Sequence, residues 1–257
     1  TFSYMGKFTI SDTVFRQILE YLASKTPGIY KIQKITKKSI LNDWNAIFPQ
    51  LSTYSQTTLY VTLDIMVVGL LLLRVRGEDE YRPIFQVYPL WKRDNKDNLF
   101  SPIVNKPILD KKNLTFDIPY NQHSNYFKES IRCAEEQVGC CLRPEVLVEK
   151  MFDLINSYYS NDYLVQCNPI CQADLLELQL YIMKYIGDYR SIDKILNNIN
   201  KASKKWKYQY FYENYSTEDW KNSVLKNIDD WDNVLKLLKT NMDDKKIARL
   251  KHSHLVY

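Results

Sequence analysis

The pattern of apolar and polar positions is hardest to read where the chain is most apolar, at residues 58–77, TLYVTLDIMVVGLLLLRVRG. A membrane-spanning helix needs about 20 consecutive apolar residues. The run from Leu59 to Leu73 is shorter and holds Thr62 and Asp64, whose carboxylate hydrocarbon would not solvate, so no membrane span is expected. Leu59, Leu63 and Met66 recur at i, i+4 and i+7 behind a stretch rich in Ser and Thr, both N-cap types. That spacing predicts a helix ending at Gly69. Beyond it, LLLLRVRG and YRPIFQVYPLW flank the polar EDE and read as a hairpin, with Pro83 and Pro89 marking its second strand as an edge.

Upstream, SDTVFRQILEYLASKT carries Val14, Ile18, Tyr21 and Leu22 on one helical face behind Ser11 and stops at Pro27-Gly28. IYKIQKI alternates as a short strand, and TKKSILNDWNAIFPQ reads as a second helix ended at Pro49. The order is helix, strand, helix, helix, hairpin. This order, together with YSQTTLYVTLDIMVVGLLLLRVRGEDEYRPIFQVYP, resembles the winged-helix (winged helix-turn-helix) superfamily in its PadR/MarR-like form, over residues 8–92.

The resemblance implies that the third helix enters a DNA major groove while the wing touches backbone. Carried over by position, Thr53, Tyr54, Ser55, Gln56, Thr57 and Tyr60 would face the bases. Lys37, Lys38, Arg74, Arg76 and Arg82 would hold phosphates. Against it, Leu51–Leu73 contains no Lys or Arg, and GEDE gives the wing an acidic tip. The apolar positions also surround the supposed helix, as in a buried one.

Residues 93–122 mix charges with Pro102, Pro107 and Pro119 and read as a linker or arm. From residue 123 helical spacing dominates. PEVLVEKMFDLINSYY is expected to begin a helix at Pro144, and ADLLELQLYIMKYIGDY and SIDKILNNINKASKKWKY continue the pattern. In STEDWKNSVLKNIDDWDNVLKLLKTN, Ser216 and Asp219 form a near capping box, and Trp220, Val224, Ile228, Trp231 and Leu235 make one stripe. The expected fold is therefore mainly α with a small β component: a winged helix (1–92), an arm (93–122) and an α-helical domain (123–257).

Composition changes little. Twenty Tyr against six Gly and a net charge of +5 are compatible with a polyanionic partner without requiring one. The five cysteines, Cys133, Cys140, Cys141, Cys167 and Cys171, are odd in number and spaced C-x6-C-C then C-x3-C, not as paired CxxC. They read as reduced, buried thiols without a metal. With no apolar signal run in TFSYMGKFTISD, a cytoplasmic, nucleoid or nuclear setting is expected. His252 and His254 lie in a polar tail. The alternating aromatics Trp206, Tyr208, Tyr210 and Tyr212 read first as packing or oligomer contacts. No GxGxxG, P-loop or GxSxG occurs, so no enzyme and no cofactor are expected. The function expected is DNA binding, as a transcriptional regulator or a replication or partition factor acting on double-stranded DNA, with a helical half for homodimerisation. The rival is a structural or adaptor subunit of a larger assembly that uses the winged helix to grip another protein.

Overall fold

Residues 58–74 are two paired strands rather than a helix followed by one. In the computed structural model, which describes residues 37–75, 79–92, 101–206, 210–212 and 215–257, β2 (Thr58–Leu63) turns at Asp64-Ile65 into β3 (Met66–Arg74). The two pair antiparallel, Leu63 beside Met66 and Thr58 beside Leu71. Thr, Tyr and Val fill four of the six positions of β2, and such residues suit a pleated surface. Asp64 adopts φ 46° at the turn, a conformation Asp tolerates better than most residues. The helices and strands expected over residues 11–35, like Arg76, Tyr208 and residues 93–100, lie outside the described residues.

The winged-helix expectation with its small β component is thus corrected: the chain builds an eight-stranded, mixed and strongly curled sheet, a half-barrel, backed by helices. The hairpin partner of β3 is β4 (Glu80–Pro89), paired from Arg74 beside Tyr81 to Met66 beside Pro89. It is no edge strand. Its far side pairs with β5 (Val104–Pro107) along Ile84–Val87 and with β6 (Ile118–Pro119) at Glu80–Tyr81. Pro83, which has no N–H to give, falls in the gap between those two pairings.

On the other flank, β1 (Ser52–Thr53) pairs antiparallel with the first half of β2. The C-terminal strand β10 (His252–Val256) runs parallel to its second half and carries β7 (Glu145–Leu147) on its own outer side. His252 and His254, expected in a polar tail, are both exposed, but they lie in this strand. Asp64 holds it there. One carboxylate oxygen accepts the Leu255 N–H at 2.7 Å and the other lies 3.1 Å from His254 Nδ1. Strands from both sides of residue 120 therefore share one sheet.

The two faces of the sheet differ. Tyr81 points toward α1 (Lys37–Ile47) and α2 (His123–Val138), where Trp44 Nε1 donates to its hydroxyl at 3.3 Å and Trp44 stacks on Phe48 and meets Phe127 edge-on. The opposite face carries a polar row. The Tyr60 hydroxyl donates to Gln86 Oε1 at 2.6 Å, Tyr88 donates to the same oxygen at 3.0 Å, and Gln86 Nε2 donates to Asn105 at 2.8 Å. Gly69 lies beside Tyr60 in this row because a Cβ there would sit 2.0 Å from Leu59 O and 2.7 Å from the Tyr60 ring. Both faces of β2 are covered, and each fully buried Leu, Val or Met contributes about 1.5–3 kcal/mol.

The helical layer comprises α3 (Val148–Asn161), α4 (Tyr163–Cys167), α5 (Pro169–Ile186), α6 (Tyr189–Ser203), α7 (Thr217–Asp229) and α8 (Trp231–Met242). The helix expected at Pro144 starts four residues later, after β7. α5 is the central one: Asn168 caps it, Pro169 opens it, and Gly187 at φ 79° closes it. Glu177 is buried on it but accepts from Trp91 Nε1 at 2.9 Å, with Lys92 3.7 Å away. The Ser216/Asp219 capping box forms as expected. The chain breaks at Asp230, so the single apolar stripe becomes two, with Trp220, Val224 and Ile228 buried on α7 and Val234 and Leu238 on α8, while Leu235 is exposed. Among the described residues no helix is long and apolar enough to cross a membrane.

Candidate nucleic-acid interface

The polar loop between β1 and β2 is held by its own hydrogen bonds. Thr58 O accepts the Tyr54 N–H at 3.0 Å, and Ser55 Oγ accepts from Thr57 N at 3.2 Å and from Thr58 Oγ1 at 2.7 Å. Thr53, Ser55 and Gln56 are exposed, and the Tyr54 ring rests on Tyr60, 5.3 Å between centroids. This fixes a rim of short polar side chains at one end of the sheet.

A second segment runs beside it. In DDKKIARLKH, residues 243–252, Asp244 Oδ1 accepts the Lys246 N–H at 2.8 Å and starts a short turn. Ile247 and Leu250 are buried, which leaves Lys245, Lys246, Arg249 and Lys251 outside. Three links tie this segment to the β1 end. Lys246 Nζ stands 5.9 Å over the Tyr54 ring, Ser52 Oγ accepts the Lys251 N–H at 2.9 Å, and Gln50 Nε2 donates to His252 O at 2.6 Å. Lys245, Arg249 and Lys251 have no described carboxylate within 4.0 Å. The result is a surface with four cations in seven residues against a rim of hydroxyls and an amide, the mixture that contacts phosphate and sugar.

The other site residues expected from the sequence are scattered. Tyr60 is buried, and burial first, then its hydrogen bond with Tyr88, pushes its phenol far above the usual range, so it supports the sheet and faces no base. Arg82 donates to both oxygens of Asp117 at 2.7 and 2.8 Å, so its charge is neutralised locally. Lys37 lies 5.7 Å over the Tyr120 ring, and Arg74 also acts on that phenol. Lys37 opens α1, and Arg74 ends β3 two residues past Leu72, whose N–H donates to Thr57 O at 2.7 Å. Lys38 is exposed on the first turn. The structure thus sets the Thr53–Thr57 loop beside cations outside the expected set, while Arg82 is engaged by Asp117 and Lys37 and Arg74 flank the Tyr120 ring. The run KKIARLK is a basic cluster in the sequence, but its composition alone does not say what it packs against.

Among the described residues no group of three or more His, Cys, Asp or Glu is placed to hold a metal. Taken together, fold and site define a mixed α/β protein with one basic, hydroxyl-rimmed sheet end. Comparison with protein-family models, with characterised proteins and with solved structures finds no match to this chain.

Proposed function

We propose that the protein binds nucleic acid, without enzymatic chemistry, through the surface formed by the β1–β2 loop and residues 245–252. The observation that carries this reading is that the basic segment 245–251, with Lys245 and Arg249 exposed, is folded against the β1–β2 end by Lys246 over the Tyr54 ring and the Lys251 N–H on Ser52 Oγ. The mode differs from the one a winged helix would use. The surface is a loop and a short 3-10 turn leading into β10, so the contacts are to phosphate and sugar and recognition is by backbone more than by base. Phosphate neutralisation supplies the affinity, while the rigid loop fixes orientation.

Fluorescence anisotropy with a labelled DNA duplex of about two turns tests it. Reversing Lys245 and Arg249 to Glu is expected to weaken binding at least tenfold at 0.1 M salt, because two favourable phosphate contacts become repulsive. Reversing Lys128 and Lys226, exposed elsewhere, should leave affinity within twofold. Equal losses from both pairs would reduce the interaction to net charge.

One observation favours an adaptor instead. Tyr163 and Leu164, consecutive on α4, are 75% and 72% exposed, and neighbouring apolar side chains at a surface mark contact with other proteins. If the Lys245/Arg249 reversal leaves binding unchanged, that reading takes over.

A further inference from the structure

The turn that ends α2 holds two adjacent cysteines the basic surface does not use. The helix stops at Val138, and Gly139–Cys141 form one 3-10 turn closed by the Leu142 N–H on Gly139 O at 3.1 Å. That turn swings both side chains to the same side. Cys140 Sγ and Cys141 Sγ lie 3.8 Å apart, and neither is in a disulfide. Their surroundings differ: Cys140 is exposed, while Cys141 is fully buried. The expectation of uniformly buried thiols therefore fails here, as it does at exposed Cys167.

The separation discriminates between two fates. Adjacent Cα atoms are about 3.8 Å apart, below the roughly 4.4–6.8 Å range of ordinary disulfides, so closing an S–S bond of about 2.05 Å would strain the backbone. A single atom bonded to both sulfurs fits without that distortion. Two bonds of about 2.3 Å, the zinc–thiolate length, at a tetrahedral angle span about 3.8 Å. Zinc itself would want two further protein ligands, and no third His, Cys, Asp or Glu is grouped with the pair among the described residues. A centre with only two valences to fill is satisfied by the two thiols alone.

We propose that Cys140 and Cys141 are a chelating dithiol that captures one trivalent thiophilic metalloid per chain, a monosubstituted arsenical being the simplest case. With an arsenoso compound the step balances without a redox partner. Two S–H bonds and the arsenic–oxygen bond are exchanged for two arsenic–sulfur bonds, and both protons leave with the oxygen as one water. Cys140 attacks first because it is the exposed sulfur. The hydrogen bond with Cys141, and then backbone N–H groups and the charge of Lys150, bring the Cys140 thiol down to about 6, which favours it as the first nucleophile. The contact with Cys140 and burial push the Cys141 thiol up, so it reacts second.

Phenylarsine oxide at one equivalent, followed by native mass spectrometry and peptide mapping, tests the assignment. The expected result is one adduct per chain on the peptide spanning residues 133–143, retained in millimolar monothiol and removed by a 1,2-dithiol. Cys140→Ser changes a surface side chain and Cys141→Ala a buried one. Each is expected to lose the monothiol-resistant adduct while keeping the wild-type circular dichroism spectrum, and Cys167→Ser is expected to keep the adduct. The proposal is overturned if folded wild type takes no monothiol-resistant adduct, if the Cys140→Ser variant retains it, or if the label maps to Cys167 and Cys171.

Discussion

Gly69 and Tyr60 share one row of the sheet, and the space a Cβ would need at residue 69 is filled by the Leu59 carbonyl and the Tyr60 ring. Backbone cannot yield as a flexible side chain can, and φ at this residue is +157°, where a side chain adds strain. Gly69→Ala should therefore cost about 2–5 kcal/mol, from overpacking and backbone strain together. A urea midpoint within error of wild type would refute the packing. His123 gives a second test at this scale. Its buried neutral ring accepts from the Tyr81 hydroxyl at Nδ1, 2.8 Å, and donates from Nε2 to Asp43 at 3.1 Å. Burial holds its pKa below the usual 6.5, outweighing Asp43, which acts the other way. The unfolded chain then takes up the proton first as pH falls. The stability this ring contributes is complete above about pH 6.5 and is lost on acidification below it. His123→Asn should be less stable at pH 7.5 but lose less between pH 7.5 and 5.5, as read by denaturant titration. Parallel losses in the two proteins would mean that His123 titrates no differently on folding. Neither residue announced its role in the sequence: Gly69 looked like a helix end, and His123 acquires its partners from α1 and β4, 80 and 42 positions away.

Among elements, the most instructive is β2. Leu59, Leu63 and Met66 happen to keep helical spacing, but every residue of Thr58–Leu63 is buried. A strand covered on both faces has no alternation to display, and so its period cannot distinguish it from a buried helix. Its Thr, Tyr and Val content was the better guide. α1, α5, the Ser216 cap and the β3–β4 pairing were legible because each has a one-sided pattern or a capping signature. β10 was not. Its five residues become a strand only because β2 and β7 offer pairing sites from 190 and 109 residues away. Asp64 is what ties this strand to the hairpin turn. Asp64→Ala removes acceptors for the Leu255 N–H and His254 and places a Cβ-bearing residue without turn chemistry at φ 46°. The expected loss is about 2–4 kcal/mol, and hydrogen exchange should show β10 opening ahead of β3 and β4. If β10 stays as protected as β3 in that variant, the strand is held by something other than Asp64.

At the scale of the whole molecule, one described segment sets basic charge beside a rim of hydroxyls. Residues 245–251 put four cations on one short segment, which Lys246 and the Lys251 N–H tie to Tyr54 and Ser52 at the β1–β2 end. Half of that surface was legible: the loop was singled out, though for a helix that does not form. The other half was hidden because a basic run at the end of a chain gives no sign of being folded back onto the sheet. The function proposed rests on this arrangement, and salt dependence measures it most directly. Duplex affinity should fall between 50 and 300 mM salt with a log–log slope of about −3 to −4, one unit for each cation engaged. In Lys245→Ala/Arg249→Ala the slope should shrink by about 2. A wild-type slope near zero, or the same slope in both proteins, would contradict the account.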